Sequence, residues 1–372
     1  LTLRTLVTGV TGFVGREVAH ALLAAGRPLI VLARARGGTP AGARVAGALG
    51  LGPADERVHV VEGDLAMPGC GVDAAGWRGL RDTVGTVIHC AGDTTFAPER
   101  LEPYETAHVD GPRRLLEALA AGRLRRWVHV STAYVCGRRE GLVLESDGDL
   151  GQRFHNVYER AKLASEAAVL AAGARAGVDV RIARPGIVVG AAPATDGGAP
   201  SNLFFEFVRM TAGLAAAAAG RPVPLRIEAA ARAPFNVVPV AYVAAALRHL
   251  AVADGGGAPT VHLVARRAPT QAEVLATVAA RLGVHGLSLV DRLEHPSPLE
   301  RRVAAMLRGY RPYLTQDVRF DDASARATLP PDVRRHAALS RPTLHALIDL
   351  ALTTRGRSTR AAPAAVPLPD PS

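Results

Sequence analysis

Thr8-Gly9-Val10-Thr11-Gly12-Phe13-Val14-Gly15 follows the apolar run 3–7 and opens a stretch that reads as helix through Leu23 and stops at Gly26. Spaced glycines mean little by themselves in a chain with 38 of them. Set between a strand and a helix, they form the turn that holds a dinucleotide pyrophosphate. Gly9 allows the tight turn, Gly12 lets the backbone approach the phosphates, and Gly15 lets helix pack on strand. Downstream, apolar runs at 28–33, 58–61, 86–89, 126–130 and 178–182 alternate with helical stretches such as 108–121. That alternation predicts an α/β fold, a doubly wound parallel sheet covered on both faces.

Residues at the ends of these runs are the candidate cofactor contacts. The second run delivers Arg34 and Arg36 with no carboxylate, the arrangement that accommodates a 2′-phosphate and so favours NADP(H) over NAD(H). Asp64 after the third run could accept from an adenine amine or cap a helix. The small residues Cys90, Ala91 and Gly92 after the fourth would let a ribose pass close to the backbone. The fifth run ends in Ser131-Thr132-Ala133-Tyr134-Val135-Cys136-Gly137, where the Thr132 hydroxyl can meet a reacting carbonyl or merely cap the loop.

Lys162 is the only lysine among the 44 Lys and Arg residues; every other is arginine. It stands four residues after Tyr158 in Asn156-Val157-Tyr158-Glu159-Arg160-Ala161-Lys162, within a run free of Gly and Pro up to Gly173 that reads as helix. Residues i and i+4 share a helix face, so phenol and ammonium are expected side by side, the cation lowering the phenol's affinity for its proton. In an arginine-only background, a compact ammonium at this spacing reads as half of a catalytic pair.

Composition excludes other classes. Hydrophobic content of 48% and charged content of 21% are those of a globular protein, and the formal charge of +10 favours anionic partners such as phosphates, coenzyme A or an acidic carrier protein. Aromatics are 4% and no basic run is interleaved with them, which argues against nucleic acid. No unbroken apolar run is long enough to span a membrane; 203–220 is interrupted by Glu206 and Arg209. Cys70, Cys90 and Cys136 have neither disulfide nor metal spacing, as expected of a cytoplasmic chain. The chain begins without Met and enters its first strand with no signal-peptide pattern, which leaves open whether it is a trimmed or an excised piece.

After Gly190 the alternation loosens. A Gly/Pro/Ser-rich loop is expected over 193–202, an apolar helix over 203–214, strands over 235–240 and 260–264, a capping box Thr270-Gln271-Ala272-Glu273, and helices from 296 onward. Residues 1–190, rejoined by 235–265, should form the nucleotide-binding domain; 191–234 and 266–354 a smaller, mostly helical substrate region; 355–372 a disordered tail. Phe204, Phe205 and Phe207 either cover the substrate beside Phe96 or pack under the C-terminal helices.

The glycine turn with Thr132, Tyr158 and Lys162 resembles an extended short-chain dehydrogenase/reductase. Trp127-Val128-His129-Val130-Ser131-Thr132-Ala133-Tyr134-Val135, Val87-Ile88-His89-Cys90-Ala91, Ile187-Val188-Val189-Gly190 and Val238-Pro239-Val240 narrow the likeness to fatty acyl-CoA reductases and thioester reductase domains, over residues 3–265. His108 stands where that group usually has Asn, and Ala161 and Leu163 where Ser and Trp often flank the lysine. The resemblance implies a Rossmann-type fold and the catalytic triad Thr132, Tyr158 and Lys162. It implies cofactor contacts from Thr8, Gly9, Thr11, Gly12, Phe13, Val14, Gly15, Arg34, Arg36, Asp64, Leu65, Cys90, Ala91, Gly92, Lys162, Pro185, Gly186 and Ile187, and substrate contacts from Phe96, Ser131, Tyr134 and Phe204. It implies NADPH-dependent reduction of an acyl thioester, on coenzyme A or a carrier protein, to the aldehyde and on to alcohol. Reduction of a ketone or aldehyde, oxidation of a hydroxysteroid- or flavonol-like alcohol, and sugar-nucleotide epimerisation or dehydration are the alternatives. The last should carry a carboxylate where Arg34 sits.

Overall fold

Six apolar runs become adjacent parallel strands because continuous Val, Ile and Leu can be buried on both faces of a sheet. The computed structural model describes residues 3–52, 55–97, 100–190, 202–253, 259–337 and 339–353; most of the expected loop 193–202 and all of the expected tail 355–372 lie outside them. The strands are β1 (Arg4–Thr8), β2 (Leu29–Ala33), β3 (Val58–Glu62), β4 (Val84–His89), β5 (Arg126–Val130), β6 (Gly141–Val143), β7 (Asp179–Pro185), β8 (Ile187–Val189), β9 (Leu225–Glu228), β10 (Val237–Pro239), β11 (Thr260–Leu263), β12 (Leu287–Val290) and β13 (Val318–Phe320). Seven form one parallel sheet in the order β3-β2-β1-β4-β5-β7-β11. The order reverses between β1 and β4, and the crevice at the strands' carboxyl ends beside that point is where such sheets bind ligands.

Alternation along the strands supplies a core on each face. Leu6, Val87, Trp127 and Ile182 pack with Leu115 and Leu116 of the helix Gly111–Ala120 and Val169 of the helix Val157–Ala176. Val7, Val128 and Ala183 face the opposite side, against the helices Phe13–Ala24 and Val240–Val252. Most of the chain after Gly190 builds a third core, in which the helices Leu203–Ala218, Gln271–Leu282 and Arg341–Thr353 enclose Phe204, Phe205, Val274, Leu347 and Ile348. The expected capping box at Thr270 and Glu273 is present.

One boundary differs from the sequence reading. β10 pairs with β8 outside the main sheet, so within 235–265 only β11 extends that sheet. Ala325, Leu329, Val333 and Ala337, expected in the substrate region, pack in the core of the nucleotide-binding domain with Tyr242 and Leu247. β13 pairs with β6, and buried Glu145 fastens the return: its carboxylate accepts the backbone N–H groups of His262, Ser324 and Ala325. Removing that acceptor strands buried donors at about 1–3 kcal/mol each. Glu145→Ala should therefore lose at least about 2 kcal/mol, read as a lower urea midpoint at unchanged slope.

Candidate active site

The glycine turn has the geometry expected of it. Gly9 has a left-handed φ of 74°, and a Cβ there would lie 2.7 Å from the Ala91 nitrogen. A Cβ on Gly15 would lie 2.3 Å from the Gly9 carbonyl oxygen, so only glycine lets the helix approach the strand. Gly12 is exposed and is the N-cap of the helix Phe13–Ala24, with no side-chain cap and no acidic residue in the first turn. Phe13 and Val14, half-buried, begin that turn. Its amides and dipole suit a pyrophosphate. Thr8 Oγ1 accepts the Ala91 N–H at 3.1 Å and lies 3.0 Å from His89 Nδ1, which ties the ends of β1 and β4 together.

At the end of β2 the exposed Arg34 lies 3.3 Å from Asp64, the carboxylate expected at the adenine; Asp64 also accepts the Ala66 N–H at 3.0 Å. Leu65 packs against Gly111, where a Cβ would meet its carbonyl at 2.7 Å. Arg36 is exposed, its backbone bridging Thr39. Sequence reasoning missed Arg44. From the helix Ala41–Leu49 its buried guanidinium donates to the Arg34 carbonyl and, at 3.4 Å, to Thr11 Oγ1, joining the glycine turn to the end of β2. Nothing in an arginine-rich sequence distinguishes it. On the far side Pro185, Gly186 and Ile187 pass from β7 into β8; a Cβ on Gly186 would lie 2.5 Å from the Asn236 carbonyl oxygen.

Asn156 caps the helix Val157–Ala176, accepting the Glu159 N–H at 3.0 Å, and so aims its first two turns across the end of β5. Lys162 is 5% exposed, and its Nζ donates to the Val130 carbonyl at 2.8 Å. A Cβ on Gly92 would lie 3.4 Å from Lys162 Nζ and 3.1 Å from His108 Cε1. Cys90, Ala91 and Gly92, expected to run along the cofactor, thus reach the lysine. Burial brings the Lys162 ammonium down to about 8, partly offset by the charges of Cys90 and Glu166, and pushes the Cys90 thiol up to about 12.

The expected effect on Tyr158 is corrected. Burial, and then the neighbouring Glu159 charge, hold its phenol well above the ordinary tyrosine range. Its hydroxyl therefore keeps its proton at neutral pH. Phe96 lies beside it with ring centroids 6.3 Å apart, and Phe96 also meets Tyr310 at 5.8 Å and Tyr313 at 5.6 Å. Thr132 caps the short turn Ala133–Cys136, accepting the Tyr134 N–H at 3.3 Å, while its O–H remains a possible donor. Ser131 Oγ is buried with no hydrogen-bond partner among the described residues, and Tyr134 stacks edge-on against Tyr313 at 4.8 Å. Phe204, expected to touch substrate, is fully buried against Phe205 in the third core, which is the packing alternative.

His108, which stands in place of the usual Asn, lies in the π-helical turn Thr106–Asp110, stacked on Tyr104 at 4.3 Å and edge-on to Tyr158 at 6.3 Å. Its Nε2 accepts the Asp93 N–H at 3.0 Å, and the Tyr104 hydroxyl donates to the Asp93 carbonyl at 3.0 Å. The substitution therefore keeps the segment after Gly92 fastened. Burial, and then Lys162, bring His108 down to about 4, so it is neutral at neutral pH.

Residues 7–247 match the Male sterility protein family of NAD-binding domains. The chain belongs to that family. It is an NAD(P)-binding oxidoreductase of the extended short-chain dehydrogenase/reductase type, in the thioester reductase group. An NRPS-like oxidoreductase of Fusarium equiseti is 29% identical over 215 residues, covering 55% of this chain and 20% of that protein. A carboxylic acid reductase of Mycobacterium marinum is 26% identical over 288 residues, 70% of this chain and 24% of its own length. The chain thus spans about a fifth to a quarter of these two relatives. The terminal R domain of the myxalamid PKS-NRPS pathway superposes with a TM-score of 0.74 at 21% identity, covering 95% of this chain and 91% of that domain, and so shares the fold.

The buried ammonium makes this reductase less stable than it could be. The unfolded chain keeps the Lys162 proton up to about 10.5, the folded one only to about 8. Between those values the unfolded state binds more protons, so stability rises with pH; below about 8 the cost is complete. Lys162→Met should be more stable than the parent at pH 7, by up to about 3 kcal/mol, with the gap closing as pH rises past 8 towards 10.5. Urea titrations across that range test this; a less stable variant at pH 7 would refute it.

Proposed function

We propose that the protein reduces an acyl thioester to an aldehyde with NADPH. The observation that supports this is the meeting of Lys162, Gly92 and His108 at the carboxyl ends of β4 and β5, with Tyr158 edge-on to His108, in a chain whose relatives are named as an NRPS-like oxidoreductase and a carboxylic acid reductase. The nucleotide, when bound, supplies a hydride to the carbonyl carbon. The carbonyl π pair moves to oxygen, where the protonated Tyr158 donates its proton, with the Thr132 hydroxyl as second donor. Lys162 orients the ribose and stabilises the phenolate left behind. Collapse of the hemithioacetal breaks the C–S bond, and the departing thiolate takes the hydroxyl proton. The +10 charge suits coenzyme A or an acidic carrier protein as the thiol bearer. The free Cys70, Cys90 and Cys136 suit a reducing cytoplasm.

Absorbance loss and product mass with NADPH and a panel of acyl-CoA, acyl-carrier and free carbonyl substrates test the reading. Aldehyde released only from thioesters supports it; turnover confined to ketones or free aldehydes overturns it. Tyr158→Phe should abolish turnover while leaving NADPH affinity within about twofold, since only the hydroxyl is lost.

Arg34 carries the cofactor preference, its backbone carbonyl held by the Arg44 guanidinium. NADPH should bind more tightly than NADH, and Arg34→Glu should erase or reverse the difference by repelling a 2′-phosphate. Equal affinities of the parent protein for both nucleotides in a fluorescence titration would remove Arg34 from this role.

A further inference from the structure

Tyr158 has two ring neighbours of unlike chemistry. His108, edge-on at 6.3 Å, belongs with Lys162 and Gly92. Phe96, tilted at 6.3 Å, belongs to an aromatic group drawn from three distant stretches of the chain. Its ring also meets Tyr310 at 5.8 Å, with the planes 75° apart, and Tyr313 at 5.6 Å; Tyr313 in turn meets Tyr134 edge-on at 4.8 Å. Burial divides the group. Tyr134 and Tyr313 are buried, whereas Phe96, Tyr310 and Tyr158 are half-buried and keep ring surface uncovered.

The buried pair is a firm backing. The Tyr313 hydroxyl donates to Glu159 Oε1 at 2.6 Å and accepts from Asn156 Nδ2 at 2.7 Å, which ties the helix Arg311–Thr315 to the start of the helix that carries Tyr158. Tyr310 stands directly before the helix Arg311–Thr315. Its N–H donates to the Leu307 carbonyl at 2.8 Å, and its carbonyl accepts the Tyr313 N–H at 3.0 Å. Arg311, next in the chain, donates to Glu228 of β9 at 3.0 Å. A Cβ on Gly309 would lie 3.8 Å from Phe96 Cδ2, so glycine brings the backbone up to that ring and adds no side chain over it.

Half-buried rings could simply close the margin of a core, and Phe96 and Tyr310 do pack against the third one. Their place at the catalytic phenol argues for more. A carbonyl that takes the Tyr158 proton must carry its acyl group close to that ring, where Phe96 lies and Tyr310 lies against Phe96. Two rings set nearly at right angles form a corner, in which an apolar group meets the face of one and the edge of the other. A charged acyl group would lose hydration there and find no opposite charge in either ring. Resting on the thioester reading, we infer that Phe96 and Tyr310 are the acyl-binding corner of this crevice. The corner selects a bulky apolar acyl group, alkyl or aryl, over acetyl. The family likeness gives Phe96 a substrate contact; it gives neither Tyr310 nor the kind of acyl group.

The test separates binding from reduction. Acetyl-, hexanoyl- and phenylacetyl-pantetheine are titrated calorimetrically into the whole chain without NADPH, so that none is reduced. Pantetheine lacks the nucleotide of coenzyme A and leaves the cofactor site free. The hexanoyl and phenylacetyl arms distinguish an alkyl from an aryl preference. At least one should bind about tenfold or more tightly than acetyl, the least that a methylene is worth in a shaped apolar site. Tyr310→Ala and Phe96→Ala should each cut that ratio about threefold or more, and Tyr310→Phe, which keeps the ring, should retain it. With NADPH the same ratios should appear in kcat/KM. In the unmodified chain, intermolecular NOEs should run from the bound acyl group to the Phe96 and Tyr310 rings, a reading that needs no variant to fold. Equal binding of all three thioesters, no binding of either larger one, or a bound acyl group without those NOEs overturns the inference. So does an unchanged ratio in whichever alanine variants fold, because the rings then only close the core. Thioesters that bind in the expected order and are never reduced would refute the proposed reaction and leave the acyl-binding corner standing.

Discussion

A single ammonium held in a dry place is the constraint on which this crevice depends. Lys162 gains one direct partner, the Val130 carbonyl, for nearly complete burial, and its charged form is disfavoured in consequence. Sheet and helix must therefore be stiff enough to keep it there. β5 is central, flanked by β4 and β7, and its Trp127 and His129 stack with His89 of β4 at 5.3 and 5.2 Å. The helix Val157–Ala176 is capped by Asn156 and ended by Gly177 in the left-handed region. With both elements fixed, the ammonium lies under Gly92, where a Cβ would sit 3.4 Å from it and a tighter 3.1 Å from His108 Cε1.

The same desolvation explains what the sequence could and could not disclose. The glycine turn and the strand runs are local patterns, and each has its expected place. The sign of the effect on Tyr158 is not local. Four-residue spacing announces a cation, but burial first and the Glu159 charge second strengthen the phenol's hold on its proton, and neither is written in that spacing. Arg44 and Tyr313 were invisible for a related reason. Each becomes meaningful only when a distant segment arrives, Arg44 at Thr11 and Tyr313 at Glu159. Phe204 shows the opposite failure. An apolar helix after the sheet reads equally as pocket or as core, and the helices Gln271–Leu282 and Arg341–Thr353 enclose it in core.

His108 shows how a departure from a family pattern can preserve a contact. An asparagine amide and a neutral imidazole can each accept a backbone N–H, and burial keeps this imidazole neutral so that Nε2 has a lone pair to offer. The Tyr104 hydroxyl holds the other side of the same peptide segment through the Asp93 carbonyl. The segment between Gly92 and Phe96 is therefore fixed from the helical side, although its own residues Asp93, Thr94 and Thr95 are exposed.

The arginine background gives the lone lysine its meaning, because the structure shows what arginine is used for here. Arg184 grips Glu166 through two donors at 2.9 and 2.6 Å inside the protein. Arg281 does the same to Asp349 at 3.0 and 2.8 Å on the surface, and Arg226 to Glu300 at 2.8 and 3.0 Å. Each is a planar fork matched to a carboxylate, geometry that an ammonium cannot reproduce. The Lys162 site presents a single backbone carbonyl, an adjoining glycine and a phenol one turn away. A guanidinium there would bring a wide, flat head with donors aimed past the one acceptor, into a volume where Gly92 already leaves no room for a methyl without close contact. Fork geometry accounts for arginine at these carboxylates; it does not account for the exception. The exception falls where a compact head, rather than a planar fork, fits beneath Gly92 and against the Val130 carbonyl.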